Sequence, residues 1–491
     1  MRIASAWTLI PLLLAALGAA PAGDARPRQA PSSATLSLAV DAWWRQQIIG
    51  EFAAHGRVEP RFAKQIPDLL EFALAGMTGA SSTVSADAMT KVAHGMIYKG
   101  GEAMDPVVLW AAAQAYKPGM QQAITLIGRA LARWDARPAT APPYARYLRA
   151  AAARHHFVEL VHDGSRKGGI PPAHREGTLV PEAAAFIRAF AGALAEPMPD
   201  GVRDELLHRV LDRMLWLDPI TSQLMHRHLL PIISGATVPA ALRESLLATI
   251  HHQTGWAIRG GDWGSLVPVE QMQGFAEHLR TASAHAERSW ALRPNLPAAR
   301  LGIAIAGAGY GTTSAADWFA RSLSLCIDDE PSFKQRLIYL MPRWGGSYEE
   351  AVRVGIDGVA SGRYDSDRPW QIVLAAQAVL RDIDSLEQID RRQRRPVQRR
   401  RPVAAFADPA FTAALERCFA GYAPVMDLPL SQWDPLRAIL HHHAGRTERA
   451  RQLIAAIGET RLKDDYAEGW FTSWAEILGR PRQTEPAAPA P

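Results

Sequence analysis

Residues Tyr339–Glu350 read YLMPRWGGSYEE, and this stretch decides how the chain is built. A helix that enters it cannot continue past Pro342, because proline lacks an amide hydrogen and its ring clashes with the carbonyl four residues earlier. Gly345 and Gly346 then allow positive φ angles at little steric cost. The stretch therefore predicts a helix that ends in a tight turn.

The residues after the glycines start a second helix. Ser347, followed three residues later by Glu350, has the pattern of a capping box, in which each side chain satisfies an amide at the helix start. We expect Trp344 to wedge between neighbouring helix pairs. Arg343 should either meet a helix C-terminus or face solvent.

Helical spacing of apolar residues extends outward from this turn over nearly the whole chain, and strand-like alternation is almost absent. One stripe consists of Met272, Phe275, Leu279, Ala282, Ala286 and Trp290. Pro297 and Pro331 each open a helix and lie 34 residues apart, which is the tetratricopeptide period. The sequence predicts an all-α fold whose tetratricopeptide-like hairpins stack into an α-solenoid with a concave surface.

Composition divides the 491 residues into successive blocks. Hydrophobic residues make up 48% and charged residues 21%, which indicates a globular chain rather than a disordered one. The predicted divisions are a signal peptide (1–22), a flexible leader (23–40), an N-terminal helical block (41–163), a second helical block (178–250), a tetratricopeptide-like repeat block (251–390), an Arg-rich linker (391–402), C-terminal helical hairpins (403–480) and a disordered tail (481–491).

The first residues predict export. Arg2 precedes an apolar run from Ala6 to Leu17, and small residues surround Pro21, which is the order of a secretory signal peptide. An uncleaved membrane anchor is the alternative, although the apolar run is shorter than the roughly 20 residues that cross a bilayer. We expect a periplasmic or secreted protein.

The positive charge is concentrated in one segment. Seven arginines lie between Arg391 and Arg401, more than the whole formal net charge of +5. Two prolines and the mutual repulsion of these charges favour an extended, solvated linker. The other interpretation is weak contact with an anionic surface such as a phospholipid. Nucleic acid is disfavoured by the export signal and by the lack of interleaved aromatic residues.

The run from about residue 251 to 358 resembles a bacterial tetratricopeptide-like family classed as a domain of unknown function. The resemblance is carried by GWAIRGGDWG, ALRPNLPAA and, most specifically, the Pro-Arg-Trp-Gly-Gly-Ser motif. It implies a helical-repeat fold and supplies no activity or substrate. The motif serves either packing between repeats or a binding loop. For the binding loop the candidate residues are Arg343, Trp344, Trp256 and Arg259.

No motif for catalysis or for a metal ion stands out. The histidine pairs, such as His251-His252, are adjacent on a helix and point about 100° apart, so they rarely share one ion. GAGYGTTS lacks the lysine of a phosphate loop, and Ser314 at its end suits a helix cap. The sequence predicts no catalytic residue, no metal ion and no cofactor. Cys326 and Cys418 have the pattern of buried thiols, although an oxidising compartment would allow them to form a disulfide.

We therefore expect a helical-repeat protein that is not an enzyme and that binds another protein or an envelope component. Its large aromatic residues would anchor the partner, since they supply contact area at little entropic cost. The alternative is an envelope enzyme, hydrolase-like, whose site lies in a cleft between helical blocks. An exposed aromatic or charged groove would favour binding, and a deep pocket with convergent ionisable groups would favour catalysis.

Overall fold

The computed structural model describes residues 30–33, 42, 45–50, 52, 62–78, 85–99, 105–116, 121–136, 148–154, 174–175, 178–179, 181–195, 200–211, 219–262, 264–392, 403–427, 429–458, 462 and 467–479. The predicted signal peptide and C-terminal tail lie outside these residues. So do most of the predicted leader and positions 393–402 of the Arg-rich linker.

Helices supply nearly all regular structure in these ranges, so the all-α prediction is confirmed. In chain order they are α1 Ile66–Thr78, α2 Ala86–Lys99, α3 Pro106–Gln114, α4 Gln121–Asp135, α5 Pro181–Leu194, α6 Asp200–Leu211, α7 Pro219–Gly235, α8 Ala240–Arg259, α9 Val269–Leu292, α10 Leu296–Gly307, α11 Ala315–Leu325, α12 Glu330–Leu340, α13 Tyr348–Ala360, α14 Gln371–Arg392, α15 Ala404–Ala407, α16 Pro409–Val425, α17 Asp434–His443, α18 Thr447–Ile457 and α19 Trp474–Leu478.

Shorter elements connect the helices. A π-helical segment covers Arg45–Gly50, and 3₁₀ turns cover Gly264–Leu266, Pro342–Trp344 and Leu430–Trp433. Two short strands, β1 (His174–Arg175) and β2 (Thr178–Leu179), pair antiparallel with Arg175 opposite Thr178.

The turn at Pro342 forms as its residues predict. Gly345 takes a φ of +90°, a left-handed value that glycine adopts without strain. Gly346 is close to the preceding helix, since a Cβ there would lie 2.5 Å from the Leu340 carbonyl oxygen. Ser347 and Glu350 make both hydrogen bonds of a capping box, each 3.1 Å long. The turn thus ends α12 and starts α13 within a few residues.

Buried side chains form cores that follow one another along the chain. The first runs from Ile66 to Ile250 and includes both predicted N-terminal blocks. A small core around Phe275 and Leu279 follows, then a larger one from residue 299 to 444, and a last one from 438 to 477. Many helices therefore pack on helices near them in sequence, although α16 packs chiefly on α13.

Sequential neighbours also pack in space, as α3 with α4, α7 with α8, α8 with α9, α13 with α14, and α17 with α18 do. Close approach is allowed by small residues. A Cβ at Gly255 of α8 would lie 2.9 Å from Cδ1 of Leu279 on α9. None of the helices among the described residues combines the length and the apolar character needed to cross a membrane.

Candidate functional site

Three of the four residues proposed for a binding loop, Trp256, Trp344 and Arg259, come together in space. The rings of Trp256 and Trp344 meet edge to face at 5.9 Å between centroids. The Arg259 guanidinium lies 5.4 Å from the Trp256 ring, and Arg343 is the neighbour of Trp344 in the 3₁₀ turn. The sequence motif therefore marks one structural cluster at the end of α8.

This cluster is occupied by internal contacts. Trp256 also packs on Phe275 at 4.9 Å, and Trp344 packs on Tyr339 at 5.2 Å, so the two indoles join α8, α9 and α12. Contacts of this kind agree with the interpretation that the motif serves packing between helices. A binding role for these residues stays a prediction.

Arg343 is exposed, which is one of its two predicted positions, and it also contacts a residue that the sequence did not indicate. Its Nε lies 3.1 Å from Oδ1 of Asp382, a carboxylate of α14 that is almost fully buried. The Tyr348 hydroxyl donates to the other oxygen of Asp382 at 3.0 Å. The arginine is drawn across the turn because a buried carboxylate is costly without a cationic partner.

The two cysteines are separate buried thiols in the structure, and they form no disulfide. Cys326 Sγ donates to Asp328 Oδ1 at 3.5 Å, and Cys418 Sγ donates to the Pro369 carbonyl at 3.3 Å. Burial raises the pKa of each thiol to about 12, so both are protonated at neutral pH. They act as weak donors in the core rather than as nucleophiles.

A pocket of about 310 Å³ opens where the loop before α12, the start of α14 and the end of α16 meet. Its volume lies at the lower end of the range for small-ligand sites, roughly 300–1,000 Å³. Aromatic and aliphatic side chains form its wall, and carboxylates lie at its edge. We call it the aromatic-acidic pocket.

Three aromatic rings form the wall. Trp370 meets Trp433 at 5.2 Å and Tyr422 at 6.1 Å between ring centroids. The Tyr422 hydroxyl donates to the Ser366 carbonyl at 2.6 Å, which fixes the ring. Leu374 and Met426 extend the apolar surface, and Met426 is 48% exposed at the mouth. The wall can cover an apolar stem and present π faces to a cation.

Three carboxylates, Asp328, Glu330 and Asp367, line the same pocket. Asp328 is buried and accepts hydrogen bonds from the backbone amides of Ser33, at 2.5 Å, and of Asp367, at 2.8 Å. Partial burial, together with the charges of Asp328 and Glu330, raises the pKa of Asp367. Mutual repulsion of these groups is relieved by a bound cation.

Nearby cations offset part of this charge. Lys334 pairs with Glu330 at 2.5 Å, but both groups are largely exposed, so the pair is weak. Arg368 donates to Oε1 of the buried Gln371, and its charge and that of Asp328 attract each other. Asp367 is exposed, so its carboxylate is accessible to a ligand.

Two buried nitrogen atoms, both in residues that line the pocket, carry N–H groups without a hydrogen-bond partner among the described residues. Gln371 is 2% exposed, and its Nε2 has no partner among the described residues; the same is true of Nε1 of Trp433. A buried donor without a partner costs about 1–3 kcal/mol, but a ligand reaches these two nitrogens only if side chains around them move. The surface of the pocket therefore offers an aromatic wall and negative charge together.

Outside the pocket, the structure brings three histidines into one group: His226 of α7, His251 of α8 and His278 of α9. A fourth, His285, stacks on His251 at 5.6 Å and bonds through Nδ1 to Glu244 Oε2 at 2.8 Å. The sequence predicted no metal site. These are the side chains of the described residues that could hold an ion.

Comparison with family models, with curated proteins and with solved structures finds no match for this chain.

Sequence reasoning missed both groups of residues. The pocket joins residues from about position 328 to position 433, and no local pattern connects them. For the histidines one signal was available. His278 and His285 are seven residues apart, two turns along one helix, so their rings share a face of α9.

Proposed function

We propose that this chain is an exported helical-repeat protein that binds another protein of the cell envelope by accepting one of its basic side chains in the aromatic-acidic pocket. One observation carries the proposal: Trp370, Tyr422 and Trp433 line the same cavity as three carboxylates. A lysine or arginine side chain combines an apolar stem with a cationic head, and this pocket has a surface for each.

The tetratricopeptide-like solenoid is part of the proposal. Cores that succeed one another along the chain, and helices that pack on their sequence neighbours, are properties of a stacked array. The 34-residue period and the family resemblance agree with it. In such an array the loops between helices gather at the edges, and the pocket takes Asp328 and Asp367 from two of these loops.

The volume of the pocket limits the size of the group that it can bind. A cavity of about 310 Å³ holds one extended side chain but not a folded element. A cation over an aromatic face contributes from about 0.5 kcal/mol when exposed to about 2 kcal/mol when desolvated. One inserted side chain thus acts as an anchor, and the surrounding surface supplies the rest of the affinity.

The hydrolase alternative is favoured by one feature of the same pocket. A carboxyl with a raised pKa, as in Asp367, beside a second carboxylate can act as a general acid. Asp328, however, uses both oxygens to hold backbone amides, so it serves the loop rather than a substrate. Glu330 is the remaining candidate base.

The test is site-specific crosslinking in cells that naturally make the protein. A photoreactive amino acid at Met426, at the pocket mouth, should capture one defined protein partner. Trp370→Ala and Asp367→Asn should abolish the crosslink, whereas Asp365→Asn should preserve it. Asp365 is the matched control because it lies two residues away, is exposed, and pairs with Arg363 instead of lining the pocket.

The captured partner should then lose the crosslink when one of its own lysines or arginines is replaced by alanine. A crosslink that survives both pocket variants would contradict the proposal. If the pocket binds a free quaternary amine in calorimetry but captures no protein, the proposed protein-binding function is wrong and the chain is a carrier of small molecules. Turnover of a glycan or peptide that Asp367→Asn abolishes would favour the hydrolase.

A further inference from the structure

We propose that His226, His251 and His278 bind one divalent transition metal ion of the zinc class, with one ring nitrogen each. The site lies on α7, α8 and α9, away from the aromatic-acidic pocket and independent of it. Each histidine comes from a different helix, so an ion would tie three successive helices together.

The distances suit a single ion. One nitrogen of each ring can be chosen so that all three lie within 4.8 Å of one another. Nδ1 of His251 and Nδ1 of His278 are already 3.1 Å apart. Ligands of a tetrahedral zinc ion at about 2.0–2.1 Å are separated by roughly 3.3 Å. Small side-chain rotations are therefore enough to close the site around an ion.

The rings converge because of how the helices pack. His226 meets His251 at 4.6 Å and His278 at 5.2 Å between centroids, edge to face in both cases. Gly255 lies one turn after His251 and lets α8 approach α9 closely, which brings His278 within reach. Among the described residues, Nε2 of His226 is buried without a hydrogen-bond partner. A metal ion would use a nitrogen lone pair that the fold leaves unused.

The protonation state of the three histidines is the one that metal coordination requires. Burial lowers the pKa of His226 to about 4 and that of His251 to about 3, and burial lowers the pKa of His278 as well. The three rings are therefore neutral at pH 7, which is the form that coordinates metals. The carboxylate of Glu277 acts on His278, and Glu244 is held near the site by His285. Both would partly balance the charge of the ion.

The types of ligand atom limit which metal ions the site would bind. Three imidazoles without a thiolate suit zinc, copper, cobalt or nickel rather than magnesium or calcium. Glu244 is engaged by His285 and by Arg288, each at 2.8 Å, so it is not counted as a ligand. Three protein nitrogens leave one position of a tetrahedral ion for a water, as in zinc sites that have three protein ligands.

The test uses the full-length protein without a polyhistidine tag. After chelator treatment and dialysis, it is titrated with Co²⁺ and Zn²⁺, and bound metal is counted by mass spectrometry. We expect one ion per chain and a visible cobalt spectrum of tetrahedral type. His226→Ala, His251→Ala and His278→Ala should each weaken binding by at least about 100-fold.

His228→Ala is the matched control, because His228 lies on the same helix two residues from His226 and is exposed. It should bind metal as the unaltered chain does. Circular dichroism of each variant reports folding, and His251→Asn, which keeps a polar side chain of smaller size, provides a second ligand variant. Absence of stoichiometric binding would overturn the proposal. So would binding that the ligand variants retain, or binding that His228→Ala reduces equally.

Discussion

Replacing Gly355 by alanine tests how closely two helices of the repeat array pack. Glycine in a helix interior ordinarily costs up to about 1 kcal/mol relative to alanine, so such a change is stabilising by default. Gly355 should behave in the opposite way. A Cβ there would lie 2.7 Å from Cα of Ile372 and 3.2 Å from Cβ of Ala375, both at the start of α14.

The magnitude follows from this geometry. Relaxed carbon contacts are about 3.5–4.0 Å long, so α13 must move about 1 Å away from α14. A gap of that size forfeits up to half of the roughly 0.1–0.2 kcal/mol in each affected atom pair. Over about 20–30 pairs the loss is about 1–3 kcal/mol, in line with measured costs of overpacking. From the middle of that range, about 2 kcal/mol, and a gain in helix propensity of up to about 1 kcal/mol, we expect a net destabilisation of about 1–2 kcal/mol.

Hydrogen exchange detected by mass spectrometry is the assay, because a chain of this size need not unfold in one step. Amides of α13 and α14 should exchange about 5 to 30 times faster in Gly355→Ala. The control is Gly235→Ala at the end of α7, where a Cβ meets nothing within 4 Å. Equal protection of α13 in Gly355→Ala and in the unaltered chain would refute the close packing of α13 against α14.

Three further changes test individual contacts. Hydrogen bonds from His441 and Arg437 outweigh the effect of burial and lower the pKa of Glu416 to about 2. Glu416→Gln should therefore lower the free energy of unfolding by about 2–3 kcal/mol at neutral pH. Because the folded pKa is depressed, this stabilisation is present above about pH 4.5 and disappears as the pH falls toward 2, which unfolding measured across that range will show. Ser347→Ala removes the capping box and should cost about 1 kcal/mol, read from exchange of the first turn of α13. Gly445→Ala, at a φ of +75°, should cost about 1–2 kcal/mol in thermal unfolding.

Ser347→Ala has a matched control, and each of the other two changes has an outcome that would contradict its prediction. Glu349→Gln alters an exposed carboxylate in the same turn as Ser347 and should leave exchange unchanged. A Glu416→Gln variant with the same pH dependence as the unaltered chain would show that this carboxylate contributes nothing to acid sensitivity. An alanine at 445 with an undiminished melting temperature would mean that the turn relaxes without strain.

Local features of the fold were predictable because they depend on a few neighbouring residues. Pro342 ends a helix, Gly345 makes the turn and Ser347 caps the next helix through contacts within this stretch alone. These features therefore do not depend on how distant parts of the chain pack. The same holds for Ser314, whose hydroxyl accepts from the Asp317 amide at 3.1 Å. The exposed position of Arg343 at the same turn was among the predicted alternatives, but its partner was not predicted, because Asp382 lies on a helix whose position local sequence does not specify.

The sequence by itself determined that the described chain is helical, that one helix ends at Pro342 and the next starts after Ser347, and which stripe of α9 is buried. Only the tertiary structure decided that Trp370, Asp328 and Trp433 share a pocket, and that His226, His251 and His278 converge. The physical reason is that helical periodicity specifies a buried stripe but not the rotation and offset of one helix against the next. Those depend on contacts between side chains far apart in sequence, such as Leu279 against the backbone at Gly255.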